Sequence, residues 1–116
     1  MQPELHEAKR QLLSRRQVLS LRIPAHKSEE RTAQDETESA AKDVASTPEA
    51  TQRLAILTLA EERELDEIDA ALLRIDTRRY GTCETCERAI SANRLRAVPQ
   101  ARLCMDCSAD LRGERR

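Results

Sequence analysis

The four cysteines of this 116-residue chain fall into two C-x-x-C pairs, Cys83 with Cys86 and Cys104 with Cys107, separated by seventeen residues. Few features restrict a fold more. Each pair forms a tight knuckle that turns two sulfurs to one side. Two facing knuckles make a tetrahedral shell of four sulfurs, which suits Zn²⁺ at Zn–S distances of about 2.3 Å. Four thiolates close the shell and leave no position for water, so the expected ion is one structural zinc. There is no leading apolar stretch of signal-peptide type and no run near the roughly 18 apolar residues of a membrane span. A cytoplasmic setting is therefore expected, where thiols stay reduced. That ranks zinc ahead of two disulfides, four free thiols or an iron–sulfur cluster.

Four thiolates and Zn²⁺ carry a net charge of −2, which Arg88, Arg94, Arg96 and Arg102 lie close enough in sequence to ease. Between the knuckles, Ile90, Leu95, Val98 and Leu103 are spaced as if in short strands covering the metal. Metal binding would supply most of the folding free energy of so small a module. His6 and His26 lie far from the knuckles and read as solvated helix residues.

The preceding eighty residues are of another kind. With 35% charged residues, two glycines and one aromatic, Tyr80, the chain lacks the large rings that usually build a thick core. A thin helical seam of Leu, Ile, Val and Ala fits better. Apolar positions at Leu54, Leu57, Leu65, Ile68, Leu72 and Ile75 alternate three and four apart, with only Glu61 breaking the pattern. Thr47 is placed to cap this helix, Pro48 suits its first position, and Glu49 complements the positive end of its dipole. Gly81 supplies the expected stop. The 48–79 stretch would make a rod of roughly 48 Å. Glu61, Glu64, Asp66 and Asp69 read as a solvated face with i,i+4 charge pairs.

Residues 3–23 repeat the stripe more weakly, with Leu5, Ala8, Leu12, Leu19 and Ile23, interrupted by Arg15 and Arg16. Arginine stems can lie along an apolar surface. Pro24 conflicts with a helix interior at a cost of about 3 kcal/mol, so a kink or break is expected near Ile23. Residues 27–47 are polar. They suit either a disordered linker or the far end of a helical hairpin, and the similar lengths of the two flanking arms favour the hairpin. Charge is segregated: the net is +4 over residues 1–27, −5 over 28–50, −2 over 51–80 and +2 over 83–116. Acid thus gathers at the hairpin's far end. The expected fold is mainly α, with an antiparallel two-helix coiled-coil hairpin over residues 1–80 (tip about 36–47). A small four-cysteine zinc ribbon follows over 81–116, ending in a short C-terminal helix and tail.

The stretch from Ile68 to Cys107 resembles the DksA/TraR family of bacterial transcription factors. The likeness lies in linked features. An amphipathic helix leads to the pair Tyr80-Gly81 just before the first cysteine. The ligand spacing agrees, an R-L-x-A-x-P run covers Arg94 to Pro99, and A-R-L-C leads into the second pair. The resemblance implies a protein that binds RNA polymerase, passes its hairpin through the secondary channel toward the active-site Mg²⁺, and keeps the zinc unit at the rim. A stiff, thin rod suits a narrow pore, and an acidic tip suits a destination holding a metal ion. The family's tip carries D-x-x-D-x-A. Here Asp43 and Ala45 match its second acid and its alanine, while Ala40 replaces its first acid, which bears on the strength or sense of regulation. Members that respond to ppGpp hold it with basic side chains. The matching positions are Glu67, Val98 and Ser108, which supply no cation for phosphate, so weak or absent ppGpp dependence is expected. Only nine residues follow Cys107, whereas longer members have more C-terminal helix to dock.

Two other classes compete with that implication. A nucleic-acid-binding ribbon could use Arg88, Arg94, Arg96, Arg102, Arg112, Arg115 and Arg116 against phosphates. Against it, the module is only +2 and has no aromatics for stacking. A coiled-coil adaptor or dimer is the other class. The expectation is a monomer that binds polymerase without sequence-specific DNA or membrane contact. No nucleophile–base pair, Gly-rich phosphate loop or open metal site points to an enzyme.

Overall fold

The computed structural model describes residues 3–39 and 47–113, with side chains described for residues 4–32 and 47–113. Among the described residues four helices follow in order: α1 (Pro3–Ser39), α2 (Pro48–Asp76), α3 (Ala92–Ala97) and α4 (Met105–Leu111). The expected tip residues Ala40, Asp43 and Ala45 lie outside the described residues. No described helix is long and apolar enough to cross a membrane.

The chain divides into two compact units, Met1–Arg16 with Glu67–Arg116, and Gln17–Asp66. The two long helices pack together, and each contributes a segment to both units. In the first unit the expected stripes meet as expected. Ala8 and Leu12 of α1 are buried, as are Ile68 and Ile75 of α2. Ala71, which the three–four count skips, is fully covered as well. Arg16 Nε donates to Asp69 Oδ1 at 2.7 Å beside this seam.

The second unit has a thinner apolar core, with Leu19 and Ile23 buried from α1. Opposite them α2 buries Thr58 and Glu61 rather than apolar groups. Thr58 satisfies itself by donating from Oγ1 to the Leu54 carbonyl at 2.9 Å. Glu61 and His26 depart from the expected solvated readings. His26 Nδ1 lies 2.6 Å from Glu61 Oε1, and the His26 and Glu61 side chains are only 20% and 5% exposed. Arg22 Nη1 stands 3.9 Å from the other oxygen, Oε2. The break in the leucine spacing is thus a buried hydrogen-bonded pair, because His26 occupies the matching seam position on α1. Lys27 pairs with Glu62 at 2.7 Å on the rim.

Pro24 does not break α1, which runs on to Ser39. Proline removes one helical hydrogen bond. Pro24 is exposed, so the freed carbonyl of the preceding turn can meet water, while Leu19 and Ile23 keep their packing.

The capping of α2 at its start is as expected, with the Ala50 amide donating to Thr47 Oγ1 at 3.1 Å. Its end is not. Arg78, at φ 63°, takes the left-handed position. The Arg79 amide donates to the Arg74 carbonyl at 2.8 Å, and the Arg78 amide donates to Ile75 at 3.2 Å. That pair of bonds is a Schellman closure. The helix therefore stops three residues earlier than the expected Arg79, at Asp76. Gly81, also at positive φ (87°), turns the chain into the cysteine module instead.

Candidate metal centre

The module begins where the backbone folds back on itself. The Cys83 amide donates to the Arg88 carbonyl at 2.8 Å, and the Ile90 amide donates to Gly81 at 2.8 Å. Thr82 and Ala89 form one isolated antiparallel bridge. This is the only β pairing among the described residues, so the expected short strands reduce to one rung. Leu95 lies on α3, not on a strand. Ser91 caps that helix, accepting from the Arg94 amide at 3.2 Å. Ile90, Leu103 and Cys83 form a small buried core, against which Leu95, Cys86, Cys104 and Cys107 pack.

The second knuckle is the start of α4. Cys104 is its N-cap, and its sulfur accepts from the Cys107 amide at 3.4 Å. The first knuckle turns through Glu87, at φ 65°, whose amide donates to the Cys83 carbonyl at 2.9 Å. Two unrelated local structures, a turn and a helix start, thus carry the same C-x-x-C spacing.

The sulfurs of Cys83, Cys86, Cys104 and Cys107 all lie within 4.8 Å of one another. Cys86 Sγ and Cys104 Sγ are 3.8 Å apart. Two ligands of a regular tetrahedron with Zn–S bonds of about 2.3 Å are separated by about 3.8 Å, so the donors fit the ion. Amide hydrogen bonds, led by the one from Cys86, hold the Cys83 thiol down to about 6 despite its burial. Cys107 is pushed up to about 12, chiefly by its hydrogen bond to the Cys104 sulfur and then by burial. Crowded sulfurs without a cation keep some of their protons. A divalent ion held by Cys83, Cys86, Cys104 and Cys107 would favour the thiolate forms and would serve as a closed structural site.

The arginines expected near the cluster divide by role. Arg94 Nε donates to the Leu103 carbonyl at 2.9 Å and its Nη1 lies 3.1 Å from Met105 Sδ, so it spans the lead-in to the second knuckle. Arg102 pairs with Glu84 at 3.5 Å, and Arg96 hydrogen-bonds Asn93. Arg88 is exposed.

One residue of this region escaped the sequence reading. Arg74, in the last turn of α2, is 9% exposed. Its guanidinium donates to the Gln100 and Ala101 carbonyls at 3.2 and 3.4 Å and to Glu84 Oε1 at 3.4 Å. Tyr80 Oη donates to the Pro99 carbonyl at 2.8 Å. Together they fasten the loop before the second knuckle to the end of α2. The available signal was Ala71, a small residue one turn earlier that marks this side of the helix as covered.

Two long packed helices followed by four cysteines with converging sulfurs place the chain among C4-type zinc-finger proteins with a helical arm. The prokaryotic dksA/traR C4-type zinc finger matches residues 78–111, the segment that holds all four cysteines. The RNA polymerase-binding transcription factor DksA of Haemophilus influenzae is 40% identical over 47 residues, covering 40% of this chain and 32% of that protein. An uncharacterized protein of Aquifex aeolicus is 40% identical over 58 residues, half of this chain and 40% of its own. The matched segments thus span well under two thirds of these relatives. The likeness in structure reaches further. Transcription factor DksA2 from Pseudomonas aeruginosa matches at TM-score 0.76 and 29% identity, over 97% of this chain and 85% of that one. The DnaK suppressor protein from Agrobacterium tumefaciens matches at TM-score 0.61 and 28% identity, over 95% of this chain and 96% of its own.

Proposed function

We propose that this protein is a cytoplasmic, non-catalytic transcription regulator that binds bacterial RNA polymerase as a single hairpin. In this reading the far end of the α1–α2 pair enters the secondary channel, Asp43 and Ala45 approach the active site, and the zinc module stays outside. The carrying observation is the agreement with DksA2 along nearly the whole chain, joined to the closed cysteine site. A stiff helical pair reaches into a narrow pore with little side-chain bulk, and a structural zinc gives it a rigid base.

The reading includes weak or absent dependence on ppGpp. Glu67 is exposed, and Val98 and Ser108 are half-buried, so the family's basic positions are filled here by an acid, an apolar group and a hydroxyl. The test is transcription in vitro with purified bacterial polymerase, wild-type protein and Asp43→Ala, with and without ppGpp. The expected result is a wild-type effect on initiation, reduced by Asp43→Ala and unchanged by ppGpp. Failure to bind polymerase at micromolar concentration overturns the reading. Strong synergy with ppGpp overturns its second part.

A further inference from the structure

Residues 54–60, LAILTLA, are the most apolar run in α2, yet the structure turns them the wrong way for a simple hairpin. Thr58 and Glu61 are 3% and 4% exposed, while Ile56 and Leu59 are 62% and 51% exposed. The polar groups face the seam and the apolar ones face outward. A helix that is apolar on more than its core side is normally covered on the other side as well.

The outward groups form a stripe of their own. Gln52, Ile56, Leu59 and Arg63 follow one another at spacings of four, three and four, which is a second heptad-type seam on α2. The four are all exposed. The spacing reads the same in both directions about a midpoint between Leu57 and Thr58, as polar, apolar, apolar, polar. A surface that maps onto itself under a two-fold rotation is what a symmetric pair requires. In antiparallel pairing about that midpoint, Ile56 meets Leu59 of the second copy twice. Gln52 meets Arg63 twice, where the amide oxygen can accept from the guanidinium. Along the flanks, Arg53 meets Ala60 and Glu62 meets Ala55, so no like charges oppose each other there, and the alanines allow close approach.

We propose that the Gln52–Arg63 stripe of α2 is an interface for a second copy of this chain, packed antiparallel in a reversible dimer. On the proposed reading, in which the distal hairpin enters the polymerase channel, this dimer would compete with polymerase binding.

The test is light scattering and sedimentation of the zinc-loaded full chain from about 1 µM to about 1 mM, with no polymerase present, so the result is independent of polymerase binding. Mass is expected to rise from monomer to dimer across that range. Ile56→Glu, on an exposed position, is expected to weaken the dimer at least tenfold while helical content by circular dichroism stays unchanged. Gln52→Glu, which sets a carboxylate against Arg63 of the partner copy, is expected to strengthen it several-fold, and Arg63→Glu added to that variant to reverse the gain. A monomer throughout the range overturns the proposal, as does a dimer indifferent to Ile56→Glu. Loss of polymerase response in a monomeric Ile56→Glu protein whose wild type is also monomeric assigns the stripe to polymerase instead.

Discussion

Glu61 is the one acid inserted into the leucine spacing of α2, and the structure makes its removal informative. Its carboxylate is 5% exposed, held by His26 at 2.6 Å and by the half-exposed Arg22 at 3.9 Å. Changing His26→Leu deletes the close partner and leaves a covered oxygen facing an alkyl group. An unsatisfied covered polar group costs roughly 1–3 kcal/mol. Breaking a buried ion pair costs about 3–5 kcal/mol. Arg22 remains and can approach, so the lower range applies, and about 2 kcal/mol is expected. At about 4 °C per kcal/mol for a chain of this size, Tm falls by about 8 °C. Glu61→Leu removes the need for a partner and destabilises less. The double variant replaces the polar pair with two apolar groups, leaving the self-satisfied Thr58 in place, and is expected to match or exceed the wild type, because buried pairs are often improved by apolar replacement. Thermal and urea melts of the four proteins at pH 7.5, followed at 222 nm, complete the cycle. The expected coupling is at least about 1 kcal/mol. Single variants that each shift Tm by under about 2 °C and combine additively would show that the contact is incidental and refute this account of the spacing break.

Zinc affinity is expected to fall as pH falls. The four ligands bind as thiolates, so Cys107, raised to about 12, must give up a proton at any working pH. Cys83, lowered to about 6, must do so only below that value, and the decline steepens there. Competition with a chromophoric chelator between about pH 5.5 and 8 reads both arms, and a flat profile contradicts them. Arg74→Leu leaves the Gln100 and Ala101 carbonyls without their donor and is expected to cost about 2 kcal/mol. Hydrogen exchange should show residues 98–103 opening while the distal part of α2 stays protected, and uniform protection would argue against the fastening role. Arg78→Gly removes a side chain from a left-handed position and is expected to stabilise by about 0.5–1 kcal/mol, visible as a higher urea midpoint at unchanged slope.

The parts of this protein that were legible in its sequence are those dictated by period or by valence. Cysteine spacing specifies the metal shell because sulfur geometry and zinc coordination leave few alternatives. The leucine spacing specifies paired helices because a helix repeats its face every three or four residues. The start of α2 was legible for a similar reason: Thr47 satisfies the Ala50 amide with its own side chain. What could not be read is what depends on a partner distant in sequence. His26 looked solvated until Glu61, thirty-five residues later, was placed against it, and each alone is an ordinary polar helix residue. Arg74 likewise has no local signature, since its three acceptors lie ten or more residues downstream. The helix stop was misplaced for the opposite reason. Glycine is the usual left-handed residue, and Gly81 does adopt positive φ, but Arg78 reaches that region first because the Schellman bonds to Arg74 and Ile75 outweigh the side-chain cost.

Backbone conformation on either side of the first cysteine pair links the module to the end of α2. Glu87 and Arg78 both occupy left-handed backbone without being glycine, and both flank the first cysteine pair. Such positions persist only where surrounding contacts determine them. Here the contacts are the Cys83–Arg88 and Ile90–Gly81 backbone bonds on one side and the α2 closure on the other. The metal, the end of α2 and the Arg74 fastening therefore form one connected element, in which the sulfurs fix the loops and the loops fix the last turn of the helix. The module is tied to that last turn by the Arg74 bonds to Gln100 and Ala101 and by the Tyr80 bond to Pro99, and the four sulfurs would brace the loops that carry these acceptors. Loss of the ion would release the helix end as well as the finger.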